Sequence, residues 1–375
     1  MTPILERIQR LRKSNAVSII DQYCNRYQVT LLEANGSKTA YCFSTPIYNQ
    51  YTNNILDMRF YKVGDTIRAW GSNSEIQFSD KIFIKNHEGA CTFYLKDKTK
   101  LLTDTELCCG VDRICMTTNG FAYKASYNKE SSVSFTIEVS QPFMPVRSNN
   151  KYFAIMSDKF KPIVTVSCLG VAGETGQIIA PVKIIHKKIN DKSYEITFKP
   201  CSPMGKWIMF EANMYEPKIF QDTTVESNNP KSNNAFGSIG FIGTTKEFGQ
   251  QWLYTRPDLT RIPEILDKYI CKAILHVPQF NYSSTNICAI ALLSRFCSFG
   301  SNWNNKVQAT SLLIDSVCDI DYQHIDITQV IRDKAGRIMQ SEGFILKATQ
   351  SAGGFCVLAT GDNYYAPEIL EINFK

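Results

Sequence analysis

The sequence predicts a mainly β protein that begins with a short helix, and three observations carry that reading. Val133, Phe135, Ile137 and Val139 alternate with Ser134, Thr136 and Glu138, the clearest period-two run in the chain. Short apolar runs recur between turn signals such as Glu88–Gly89, Asn119–Gly120 and Asn190–Asp191. The aromatic share is 12%, built on 18 Tyr and 22 Phe, residue types that favour the half-buried surface of a sheet.

Composition sets the outer bounds. With 375 residues and 42.5 kDa the chain can hold two or three domains, each with its own core. A hydrophobic content of 44% beside 20% charged residues is that of a globular protein. The net charge of +6 is too small over this length to advertise nucleic acid, so no specific nucleic-acid binding is expected. No stretch approaches the roughly 20 apolar residues of a membrane-spanning helix. Glu6, Arg7, Arg10, Arg12 and Lys13 interrupt the place where a signal peptide needs an unbroken apolar run, which predicts synthesis in the cytoplasm. Thirteen cysteines, an odd number without regular spacing, favour reduced, buried thiols over a disulfide framework.

Residues 1–39 read as an amphipathic helical segment. Ile4, Ile8 and Leu11 fall on one stripe between Pro3 and Lys13, with Thr2 placed to cap it and Pro3 in the first turn. Such a basic helix packs on its own domain or on a sister subunit more often than on a membrane, and its stripe is taken as an assembly surface. A second, shorter helical pattern follows over Ala16–Tyr27. Residues 40–217 then read as a central all-β domain, either one sandwich or barrel or two small ones divided near Pro142–Asn150. The boundary to the terminal module falls at Glu216–Pro217–Lys218.

Residues 218–375 open with a strand at Thr223–Val225 and a polar loop rich in Asn and Ser, Ser227 to Asn234. Strand patterns follow around Ile239 and Phe241, at Gln251–Thr255 and at Ala273–Val277, separated by Gly243, Gly249 and the segment Pro257–Pro263. Then come SNWNNK at Ser301–Lys306, HIDITQVIRDK at His324–Lys334, GFILKAT at Gly343–Thr349 and PEILEINF at Pro367–Phe374. In that order these motifs resemble a DNRLRE-type domain. The resemblance implies an antiparallel jelly-roll β-sandwich of the carbohydrate-binding type, and binding or scaffolding in place of catalysis. Members usually belong to secreted or surface proteins of bacteria and archaea. A protein released by lysis, or carried on a prophage or phage-like particle, would reconcile that habit with the absent export signal.

Reactive motifs are sparse. His87, His186, His276 and His324 are scattered, none at the spacing of a zinc protease, and there is no Cys-x-x-Cys pair. Gly237, Gly240 and Gly243 lack the Lys-Ser/Thr ending of a phosphate loop. The best acidic cluster is Asp315, Asp319, Asp321 and Asp326; Asp319 and Asp321 share a face if Cys318–Tyr322 is extended. Two such carboxylates suit a glycosidase or a calcium ion. The stronger reading has Asp326 or Thr328 capping a helix at Gln329–Lys334. The resemblance adds a structural calcium ion, with Asp222 joining Asp319 and Asp321 as ligands.

Sugar binding on a sandwich needs flat aromatic faces beside amides and carboxylates. Asn302, Trp303, Asn304 and Asn305 offer that set, and Asp362, Asn363, Tyr364 and Tyr365 offer a second, whereas Trp252 and Tyr254 read as core. The sequence thus predicts a non-enzymatic structural or binding protein, associated with a surface or particle, whose partners are glycans or other subunits of a homo-oligomer. The alternative is a carbohydrate-active hydrolase using the Asp315–Asp326 cluster.

Overall fold

A computed structural model describes residues 3–12, 18–127, 132–142, 144–283, 285–349 and 354–375. Strands hold 51% of the chain and helices 7%, so the mainly β class is correct. The chain divides into two compact units, Met1–Tyr48 with Pro217–Ala235 and Ile239–Lys375, and Asn49–Glu216 with Phe236–Ser238.

The first unit is an antiparallel sandwich. One sheet runs Gln28–Leu32, Lys38–Phe43, Ile369–Phe374, Ile270–Pro278, Tyr322–Asp326 and then Ala309–Cys318. The last of these strands continues into the second sheet, Ile287–Leu292, Phe344–Ala348, Gly249–Pro257, Ile239–Thr245 and Phe355–Ala359, with Phe220–Glu226 also paired to Gly249–Pro257. Period-two alternation decides what lies between them. Leu370, Ile372, Phe374, Leu275 and Val277 from one sheet share a buried core with Leu253, Phe344, Leu346 and Leu358 from the other. Burying each such side chain is worth about 1.5–3 kcal/mol, which outweighs the modest strand propensity of any one segment.

This pairing corrects the reading of the amino terminus. Lys38–Phe43 pairs residue for residue with Ile369–Phe374, so residues 1–39 are no separate segment and residues 40–48 do not belong to the central domain. The first helix spans Pro3–Arg12; Thr2, its expected cap, lies outside the described residues. Among its described residues, 18–27, the second helical pattern forms a single 3-10 turn, Asp21–Tyr23, because its flanks are drawn into backbone pairing with Gln28–Leu32. The helix expected at Gln329–Lys334 is shorter and earlier, Thr328–Ile331, since Arg332 turns extended and pairs with Ile338. Asp326 Oδ1 does accept the Thr328 backbone N–H at its start, at 3.0 Å.

In the second unit a nine-stranded and an eight-stranded antiparallel sheet form. The expected division near Pro142–Asn150 does not exist. Trp207–Met214 pairs with Gly120–Ser126, and Ser193–Pro200 pairs with Val133–Val139, so each sheet mixes strands from both sides of that point. In Val133–Val139 the alternation is realised: Phe135, Ile137 and Val139 are buried. Phe210 is the hub of the interior, stacked on Phe198 at 4.2 Å and on Tyr123 at 5.3 Å, with the edge of Phe135 at 5.1 Å.

All thirteen cysteines are reduced thiols, none in a disulfide, and burial raises those of Cys42, Cys91 and Cys168 above the ordinary thiol range. Among the described residues no helix is long and apolar enough to cross a membrane.

Candidate functional site

The Trp303 turn is built on the strand Gly249–Pro257, which places Trp252 and Tyr254 on one face. Tyr254 joins Val225, Leu292, Phe296 and Ile345 in a small core, with Trp252 and Trp303 packed at its margin. Trp303–Asn305 is a 3-10 turn closed by a reciprocal cap: Asn302 accepts from the Asn304 backbone N–H, and Asn305 Oδ1 accepts from that of Asn302 at 2.6 Å. The Asn-rich loop is bolted to it. Asn233 Nδ2 donates to the carbonyls of Ser298 at 2.7 Å and Ser301 at 2.9 Å, and the Asn304 N–H donates to the Pro230 carbonyl at 3.2 Å.

The outcome is a fixed aromatic and polar surface. The rings of Trp252 and Trp303 lie 5.0 Å apart, and the Lys306 ammonium stands 3.7 Å from the centroid of Trp303 and 4.8 Å from that of Trp252. Trp303 and Asn302 are half-buried while Asn304, Asn305 and Lys306 are exposed, so Trp303 serves both core and surface. Trp252 is likewise half-buried, and only Tyr254 is fully interior.

The second expected sugar-binding set is placed differently. Asp362, Asn363 and Tyr364 are buried, and Tyr365 alone is partly exposed, its carbonyl accepting from Arg7 at 2.6 Å. The cause is a buried charge cluster. Lys218 contacts Asp362 directly and approaches Asp222 at 3.5 Å, and Glu368 accepts from Thr255 Oγ1 at 3.2 Å. Asp362 and Asn363 therefore belong to the interior, with no ring face of Tyr364 available to a ligand.

Burial governs protonation in this cluster. It raises Asp222 well above the usual carboxylate range, reinforced by neighbouring Asp362, and raises Asp362 against the opposing pull of Lys218. Glu368 is pushed up to about 8, by burial first. An acid whose pKa rises on folding binds its proton more tightly in the native state, so its stabilisation is complete below the unfolded value of 4.5 and is lost as pH climbs towards 8. Stability should fall between pH 5 and pH 8 by on the order of 1 kcal/mol per pH unit from Glu368. Urea denaturation across that range checks this, and Glu368→Gln should flatten the slope and be the more stable protein at pH 8.

The proposed calcium ligands are not gathered. Asp222 sits in the buried Lys218 cluster, whereas Asp319 accepts from the backbone of Asp321 and Tyr322, each at 2.8 Å, and contacts His324. Among the described residues no three His, Cys, Asp or Glu side chains are arranged to hold a metal ion.

What the structure does join are two of the four histidines. His276 and His324 face each other across paired strands, Nδ1 to Nδ1 at 2.7 Å, with Glu371 Oε2 3.1 Å from His276 Nε2 and Asp319 Oδ2 3.0 Å from His324 Nε2. All three bonds form together when His276 donates to Glu371 and accepts from His324, which then donates from both nitrogens. Burial pushes His276 below the ordinary histidine range, consistent with its neutral, accepting role. Scattered positions concealed this row. The row arises only when His276 and His324, 48 residues apart, come opposite each other in paired strands.

The amino-terminal stripe is spent within the chain. Ile4 and Ile8 are fully buried, Arg7 reaches the Tyr365 carbonyl and Arg12 pairs with Glu33 at 2.7 Å. Neither isoleucine is offered to a neighbour; Leu11, half-buried, lines a cavity of about 1120 Å³ beside Tyr41 and Glu371.

A scan against protein-family models finds no match, and no curated protein matches the chain.

Proposed function

We propose that this chain is a non-enzymatic binding or assembly protein of a surface or particle, whose terminal DNRLRE-like sandwich contacts glycans through the Trp303 turn. The supporting observation is the half-buried Trp303, locked by Asn302 and Asn305 and flanked by Lys306. A pre-set aromatic edge on a surface turn rich in amides suits the apolar side and the hydroxyls of a sugar ring at little entropic cost. The hydrolase alternative draws less support, because Asp319 and Asp326 are each engaged by neighbouring backbone and side chains.

Subunit contact is a second reading, favoured by the strand Ala309–Cys318. Leu313 and Val317 lie on its outward face, 51% and 71% exposed, near Ile320 at 70%. Apolar side chains so grouped on a sheet commonly mark an interaction surface.

The test is a glycan array with the intact chain, followed by titration of any ligand found. Trp303→Ala should weaken binding at least tenfold with an unchanged circular dichroism spectrum. Undiminished binding by the variant, or no binding to any glycan, refutes the sugar reading.

A further inference from the structure

A cleft of about 790 Å³ lies wholly in the second unit, on the outer face of the sheet edge formed by Tyr61–Val63, Thr66–Trp70, Glu75–Phe78 and Lys81–Lys85. Pairing puts Trp70, Glu75 and Lys85 in one row, since Trp70 opposes Glu75 and Glu75 opposes Lys85. The loop following Tyr48 forms the other wall. It is pinned where Asn49 Nδ2 donates to the Gly71 carbonyl at 3.0 Å and the Gln50 N–H to that of Ser72 at 2.8 Å.

Two features separate this cleft from a casual surface groove. Asn53 and Met58, both on the loop, adopt φ of 55°, a left-handed conformation that a non-glycine residue such as methionine adopts at a cost. The aromatics, moreover, are left open: Trp70 is 40% exposed, Tyr61 42% and Tyr51 67%, with the rings of Tyr61 and Trp70 5.8 Å apart. Large apolar groups gathered on one exposed surface commonly mark a binding site.

The charges lining the cleft name the class of ligand. Asp57 pairs with Arg59 at 3.4 Å and Glu75 with Lys85 at 3.0 Å, two acidic and two basic groups that cancel. No ionic ligand is selected by such a wall. Ring faces surrounded by neutralised carboxylates and cations instead match a molecule that is apolar on its ring faces and rich in hydroxyls around its rim. The volume lies within the usual range of small-ligand sites.

We infer that this cleft binds a neutral saccharide, stacked on Trp70 and Tyr61 and hydrogen-bonded at its rim by the carboxylates of Asp57 and Glu75. The site is independent of the Trp303 turn, and the experiment keeps them apart. The intact chain, Trp70→Ala, Tyr51→Ala and Trp303→Ala are titrated calorimetrically with neutral oligomers of hexose and of N-acetylhexosamine, two to four units long. At least one oligomer should bind, with Trp70→Ala weakening it tenfold or more, Tyr51→Ala weakening it less, and Trp303→Ala leaving that binding intact. Tyr51, exposed and on a loop, can be truncated without cost to folding. The inference is overturned if no oligomer binds, if binding survives Trp70→Ala, or if it is lost in Trp303→Ala alone.

Discussion

Replacing Lys218 with methionine is expected to destabilise the protein by about 3–5 kcal/mol at pH 7, the usual cost of leaving a buried ion pair without one partner. The Lys218 side chain is 7% exposed and its ammonium meets Asp362 and Asp222, whose side chains are 4% and 1% exposed. Methionine keeps the length of the side chain but removes the charge, so the acids must fold protonated or fold charged without the Lys218 counter-charge. Because protonation relieves them, the deficit should shrink at pH 5. Urea denaturation at both pH values checks the claim, and a loss that does not depend on pH would show that Lys218 acts through packing alone. An exposed pair such as Lys188–Asp191, about half accessible on both sides, offers a contrast: breaking it should cost less than about 1 kcal/mol.

Phe210→Ala should cost a similar amount, about 3–5 kcal/mol, for a different reason. Phe210 belongs to the nine-stranded sheet and Phe198 and Phe135 to the eight-stranded one, so the 4.2 Å stack on Phe198 ties the two sheets together. Truncation removes apolar area and leaves a void that rigid strands on both sides close only in part. The loss belongs to the unit containing Asn49–Glu216. In calorimetry the transition of that unit should move to lower temperature, whereas Phe210→Leu, which refills most of the space, should recover over half of the loss.

Alternation along single strands was legible in the sequence, because it depends only on neighbours two residues apart. Val133–Val139 is the plainest case. What lay beyond reach was pairing between distant segments. Nothing local in Lys38–Phe43 says that its partner is Ile369–Phe374, and so the amino-terminal strands were assigned to the wrong body. The same limit hid the His276–His324 row and the burial of Asp362 and Tyr364, whose surroundings are supplied by Lys218 and Asp222. The Asn residues of the Trp303 turn, read from the sequence as sugar-facing amides, form a local cap, and the loop that braces it arrives from residues 230–233. The open aromatics of Tyr51, Tyr61 and Trp70 gave no motif at all, since three short strands and a loop must assemble before they meet.

The pairing of Lys38 with Phe374 also fixes an order of events. During synthesis the contiguous span Asn49–Glu216 is finished long before the partner strand of Lys38–Phe43 exists, so it can gather its own core while the first strands wait. Until Ile369–Phe374 arrives, the edge of Lys38–Phe43 stands open to any other extended chain. Expression at high rates would therefore be limited by what that waiting edge meets, and slower translation or lower temperature would favour its rightful closure.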